Sequence, residues 1–395
     1  MWFWRTLAPI LVFQENKDPR VLGILSLASY GPVLLFSYPG GSLADRFDKR
    51  RIASIFQSIS ALNFVILAFW SHYGELSTVW IVVAASMESI AYALCKPSIQ
   101  AMIYDIVGPE ELTKAVSINT AQYSIAQLIG PVLASLIAIQ IGESTALFMA
   151  ALLYLPMITT MRLFLKRTSP SKRVYERSDS DQRKPSQFKK LVVFLVSVAL
   201  GSIAIEGGVR VLAPQVAADL MSVPSAAGYL ISAQAFGGIL GILVILAIGN
   251  NVREMMMFRL GFAFFAFTII LYSLTTNFWI AVSAAICMGA CHSVSFNIAT
   301  AMIQKLSTRA NRGRSSSFHS MALLGTRPVS GLTAGQLSSA YGWPVATRLF
   351  AFVAIIPVFI GTRMFKEHSA KETPANFDQV KTKSIDIDID KVKNS

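Results

Sequence analysis

Long apolar runs recur along this chain, and they restrict its fold more than any other feature. They lie at about 20–43, 50–72, 76–105, 111–140, 144–166, 190–219, 224–249, 253–274, 277–304, 312–340 and 343–365, with a shorter one at 2–14. Crossing a bilayer core takes roughly 20 consecutive apolar residues. Backbone groups facing lipid must hydrogen-bond within their own segment, so such runs are read as helices. Composition agrees: of 395 residues, 14% are charged and 53% hydrophobic, and the mean hydropathy is +0.53. The sequence therefore predicts an all-α polytopic membrane protein of twelve segments.

Polar stretches divide the runs. The largest break, "KRTSPSKRVYERSDSDQRKPSQFKK", has no apolar run and reads as a disordered linker. The expected organisation is a six-helix bundle over 1–165, a basic linker over 166–189, a second bundle over 190–365 and a disordered tail over 366–395. The halves are weakly alike. Sliding the chain by 205 residues sets Gly23 against Gly228 and Asp45 against Asn250; sliding by 197 sets Gly130-Pro131 against Arg327-Pro328. Repeated halves around a midplane site are a transporter architecture.

Charge supplies an orientation. With the linker cytoplasmic, 28 Lys and Arg fall on the cytoplasmic side and two, Lys17 and Arg20, on the other. Cytoplasmic loops carry such an excess. The net charge of +13 then reports topology and attraction to anionic lipid. The basic residues are scattered over short loops without interleaved aromatics, which argues against a nucleic-acid partner. Cys95, Cys287 and Cys291 all sit in apolar runs and suggest no disulfide scaffold or zinc site. No phosphate-cradling loop, metal cluster or nucleophile triad is present, so neither an enzyme nor a cofactor is expected.

One loop, "YPGGSLADRFDKRR" at 38–51, is dense in charge. It resembles the signature between helices 2 and 3 of the major facilitator superfamily, approximately G-x-L-A-D-R-x-G-R-R. Gly41, Leu43, Ala44, Asp45, Arg46, Arg50 and Arg51 match, and Asp48 replaces a common glycine. The stretches at 105–136, 223–241 and 310–337 resemble the drug and siderophore efflux branch that includes enterobactin and macrolide exporters. The resemblance implies a twelve-helix fold and alternating access. It also implies a cytoplasmic gate of Gly41, Asp45, Arg46, Arg50 and Asp105. In physical terms, Gly41 would let another helix approach closely, and Asp45 would accept hydrogen bonds at a helix N-terminus in the other half. Gly130-Pro131 resembles an antiporter element, with other small residues in place of its glycine pair, and is expected at a helix interface.

Charges inside apolar runs are costly and mark candidate sites. Glu88 has no cation three or four residues away. Glu206 and Arg210 form an i,i+4 pair, and Arg327 is placed to hold an anionic substrate or to partner Glu88 or Glu206. These four are the expected coupling or substrate residues. His292 and His319 are expected to be packed rather than protonated. The first run aligns so that the cytoplasmic half of helix 1 is missing, which predicts a short first helix. The expected protein is a monomeric secondary transporter of the cell (inner) membrane, with linker and tail cytoplasmic. It would exchange small amphipathic compounds for protons and contact membrane lipid. The alternatives are a lysophospholipid flippase and a truncated, non-transporting membrane protein.

Overall fold

The computed structural model describes residues 1–74, 76–164, 185–248, 254–307 and 312–369. The expected linker at 166–184, the tail at 370–395, and the side chains of Asp45 and Asp105 lie outside the described residues. Every element among the described residues is helical.

Short connections set the first half. Helix α1 (Trp2–Asn16) ends on Lys17 in the left-handed region, and Asp18 then caps α2 (Pro19–Arg46) by accepting from Arg20 N–H at 2.9 Å. Proline at the first position of α2 loses no helical bond there. Asp48 caps α3 (Lys49–Tyr73) in the same way, through Arg50 N–H at 3.1 Å. The charged corner between apolar runs is thus a two-residue turn.

Two runs expected as separate helices, 76–105 and 111–140, are continuously helical in α4 (Thr78–Gln140). A straight helix of 63 residues would be about 95 Å long. Glu88 and Tyr123 nevertheless line the same cavity, so the helical path turns back between the spans Thr78–Ile103 and Ala121–Gln140. Pro156 limits the next pass, which proceeds as α5 (Glu143–Leu152), α6 (Leu155–Thr159) and a π turn, Thr160–Phe164.

The second half begins with α7 (Pro185–Ile205), five residues before the expected start at 190. A π turn at Glu206–Arg210 follows, then α8 (Ala213–Met221). A short 3-10 turn leads into α9 (Ala227–Ile248), then α10 (Glu254–Leu274) and α11 (Phe278–Lys305). The run expected at 312–340 is broken into α12 (Arg312–Leu324) and α13 (Arg327–Tyr341), with Pro328 near the start of α13. The last helix, α14 (Trp343–Ser369), extends past the expected boundary at 365.

Among the described residues, ten helical stretches are long and apolar enough to cross a membrane. Two further passes complete a twelve-helix fold of two bundles: α1, with 15 residues, and the broken pair α12–α13. Leu246 and Phe352 are 70% and 66% exposed, as lipid-facing side chains of such a bundle are. Large rings fill the interior instead: Phe64 in the first bundle, and Phe258, Phe262, Phe265 and Tyr272 in the second.

The bundles meet mainly toward one end. Hydrogen bonds join them across this seam. Gln14 donates to Ser225 (3.3 Å), Ser26 to the Arg327 carbonyl (3.3 Å), Gly228 N–H to Ser135 Oγ (2.9 Å) and Arg327 to Tyr30 Oη (3.3 Å). Glycine makes this seam possible. A Cβ at Gly23 would lie 2.8 Å from the Gly331 carbonyl, and one at Gly335 2.5 Å from that of Pro19. A Cβ at Gly228 would overlap the Pro131 carbonyl and Ser135 Oγ. These contacts run from the end bearing Lys17 and Arg20 inward to Tyr30. Toward the opposite, highly basic end, Gly41 has nothing among the described residues within 4 Å of where its Cβ would be.

Candidate functional site: a charged cavity between the bundles

Adjoining cavities occupy the space above the seam. One of 460 Å³ is lined by Glu88, Tyr92, Lys96, Asn119 and Tyr123. A second, of 210 Å³, is lined by Trp2, Tyr123, Arg210, Gln234, His292 and Arg327. A smaller space beside Trp2 reaches Arg5, Tyr30, Glu206 and Arg210.

Backbone irregularity presents the charged groups. The π turn at Glu206–Arg210 follows α7 and contains Gly207-Gly208; such turns free backbone geometry inside helices and recur at functional sites. Arg327 stands at the break before α13. Together these bring Glu206 Oε2 to 3.7 Å from Arg210 Nη1 and 3.6 Å from Arg327 Nε. One carboxylate is thus shared by two guanidiniums, at ion-pair rather than hydrogen-bond distance. Glu206 Oε2 and Arg327 Nε are buried and make no hydrogen bond. Arg210 donates to Gln234 at 2.8 Å and stacks over Trp2, 5.4 Å from the ring centre.

Of the two partners the sequence offered Arg327, the structure brings it to Glu206. Glu88 is buried on α4 and accepts from the Tyr154 hydroxyl at 3.3 Å; no cation comes within 4.0 Å of it among the described residues. His292 is packed, stacked on Phe296 and against Phe265, and His319 lies 3.1 Å from the Thr300 hydroxyl. Cys95 is buried, whereas Cys287 is exposed on α11.

The other candidate residues are dispersed. Gly130 faces α1, where a Cβ would come 3.1 Å from Trp2 Cβ, and Pro131 faces Gly228 of α9. Both lie at helix interfaces. Arg46 is exposed at the end of α2, and Arg50 Nε is 4.0 Å from Asp48. A close approach within the first bundle falls at Gly40, where a Cβ would be 2.5 Å from the Ala93 carbonyl of α4.

Sequence reasoning gave no role to Arg5. Its guanidinium carbon lies 4.7 Å from the Tyr30 ring centre, 5.7 Å from Tyr92 and 5.9 Å from Trp2. A signal existed, since an arginine inside an apolar run is itself costly. The aromatic cage around it was invisible in one dimension.

Two helical bundles around a charged cavity in a membrane-spanning frame have the architecture of the major facilitator superfamily. The chain belongs to the family described as transmembrane secretion effector, whose family model matches residues 5–393. A staphyloferrin A transporter of Staphylococcus aureus is 30% identical over 37% of this chain and 38% of its own length. A macrolide efflux protein A of Streptococcus pyogenes is 27% identical over 31% of each chain. The matches thus span 38% and 31% of these two relatives. Among solved structures, a bacterial homologue of the human lysosomal transporter Spinster, inward-facing and unoccupied, superposes with a TM-score of 0.72. It shares 15% identity and covers 93% of this chain and 95% of its own. That likeness concerns the fold.

Proposed function

We propose that this chain is a proton-coupled exporter of small amphipathic compounds, of the drug or siderophore type, acting by alternating access in the cell membrane. The observation that carries this reading is Glu88: a buried carboxylate beside the central cavity, held by a tyrosine hydroxyl, with no cation within 4.0 Å among the described residues. Such a group can exchange a proton without breaking an ion pair, as coupling requires. The relatives' names, a siderophore transporter and macrolide efflux proteins, support the substrate class. The positive-inside bias supports an orientation with the basic end, the linker and the tail in the cytoplasm. In that orientation the glycine seam lies on the outer side and the cavity faces inward.

The gate belongs to the same reading. Gly41, Asp45, Arg46, Arg50 and Asp105 would engage when the basic end closes, and the open space at Gly41 fits a gate that is disengaged. The chain is taken to act as a monomer with its surface against lipid.

The test is transport by the purified chain in proteoliposomes, with a macrolide and a siderophore as substrates, with and without a pH gradient. Export that rises with an opposing proton gradient is expected. Transport indifferent to the gradient would remove proton coupling, and no transport of either compound would remove the exporter reading.

A further inference from the structure

Cations outnumber carboxylates around the cavities. Among the described residues Arg5, Lys96, Arg210 and Arg327 line them, against the carboxylates of Glu88 and Glu206. A membrane interior tolerates such an excess poorly, so unmatched cations there call for a partner. The donors are also unspent. Among the described residues the Arg5 guanidinium has no carboxylate within 4.0 Å and no side-chain hydrogen bond, and it lies against the rings of Trp2, Tyr30 and Tyr92. Arg327 Nε is buried without an acceptor, and Arg327 stacks over Tyr30 at 5.1 Å. Stacking on a ring uses the face of a guanidinium and leaves its in-plane N–H groups pointing outward. Arg5 and Arg327 share the Tyr30 ring, so their guanidinium carbons lie less than 10 Å apart. One comes from the first bundle and the other from the second.

We propose that the central cavity takes an organic anion, with a carboxylate or phosphate group held between Arg5, Arg210 and Arg327 and an apolar or aromatic body against Trp2, Tyr30 and Tyr123. Guanidiniums bind planar oxyanions through paired donors, which a lysine or an amide does not reproduce. The anion would complete the charge balance that Glu206 alone leaves short, and it would bridge the bundles. This deepens the exporter reading and rests on it for transport, but binding is measurable without transport.

The experiment uses the full chain in nanodiscs of neutral phosphatidylcholine and compares 2-naphthoate with 2-naphthamide, which share a shape and differ in charge. Naphthoate is expected to bind about tenfold tighter or more, with the gap narrowing at high salt. Arg5→Gln should lower naphthoate affinity toward that of naphthamide and leave the amide unchanged, while Arg5→Lys should recover only part. If Arg5→Gln is not monodisperse, the salt dependence in the unaltered chain decides. Displacement of naphthoate by inorganic phosphate assigns a soluble oxyanion, and displacement by lysophosphatidylglycerol alone assigns a lipid headgroup; both support the site. Equal binding of acid and amide, preference for tetraphenylphosphonium, or no binding of either naphthyl probe overturns it. A chain that binds naphthoate yet exports nothing removes the exporter reading and keeps this one. A chain that exports neutral or cationic drugs without anion preference does the reverse.

Discussion

Glu206 faces two guanidiniums within 4.0 Å and Glu88 faces a tyrosine hydroxyl, so neutralising each has a different cost. Glu206→Gln leaves Arg210 and Arg327 buried beside an uncharged amide. Breaking a buried pair from one side typically costs about 3–5 kcal/mol, and a loss of that order is expected in detergent-solubilised unfolding. The double change Glu206→Gln with Arg327→Gln should recover part of it. Glu88→Gln keeps an acceptor for Tyr154, so stability should move by about 1 kcal/mol or less. It cannot release a proton, so gradient-driven transport should disappear while the fold persists. Undiminished gradient-driven transport by Glu88→Gln would pass the coupling role to Glu206. At this scale much was legible: Glu88, Glu206, Arg210 and Arg327 stood out because a charge in an apolar run is conspicuous. Arg5 did not, and neither did the preference of Arg327 for Glu206. Both depend on which side chains point into a common space.

Helix pairing turns on small residues. The two seams are related by the weak internal repeat: Gly23 packs on Gly331 and Leu332, and Gly228 packs on Pro131 and Ser135. The offsets that align Gly23 with Gly228 and Gly130-Pro131 with Arg327-Pro328 therefore join equivalent contacts, α2 on α13 and α9 on α4. Gly228→Val should drive α9 from α4 and open the seam. Ser26→Cys, buried in the wild-type seam, should then label with an aqueous maleimide several-fold faster than in the Gly228 background. Unchanged labelling would mean that the seam survives the added side chain. The π turn was partly legible in Gly207-Gly208. The continuous helical path of α4 was not, because Gly108-Pro109 lies between its two apolar runs and reads as a break, although the backbone stays helical there.

Alternating access requires the two bundles to part on the sealed side. Gln14 on α1 and Ser225 before α9 touch across that seam at 3.3 Å. Replacing both by cysteine and oxidising should trap this conformation and abolish transport, with recovery on reduction. Full transport by the oxidised pair would exclude opening at this end. Orientation has its own test. Tyr73 and Tyr341 are 73% and 65% exposed at the sparsely charged end, and a cysteine at either should react with impermeant maleimide in intact cells. A cysteine in the 166–184 linker should react only after lysis; labelling of the linker in intact cells would invert the assignment.

Apolar length and charge density are properties of consecutive residues, so the sequence alone sufficed for the helical class, the passes and the asymmetry of charge between the two ends. It also carried the family likeness, because the "GGSLADRFDKRR" loop is contiguous. Rotation about each helix axis is not local. One residue turns a helix by about 100°, which is why the tight contact with α4 falls on Gly40 while Gly41 faces open space. The same rotation, with the spacing between helices, decides that Glu206 is shared by two arginines and that Arg5 is caged by aromatic rings. Those relations join residues up to about 300 positions apart, such as Tyr30 and Arg327, and only the packed bundles bring them together.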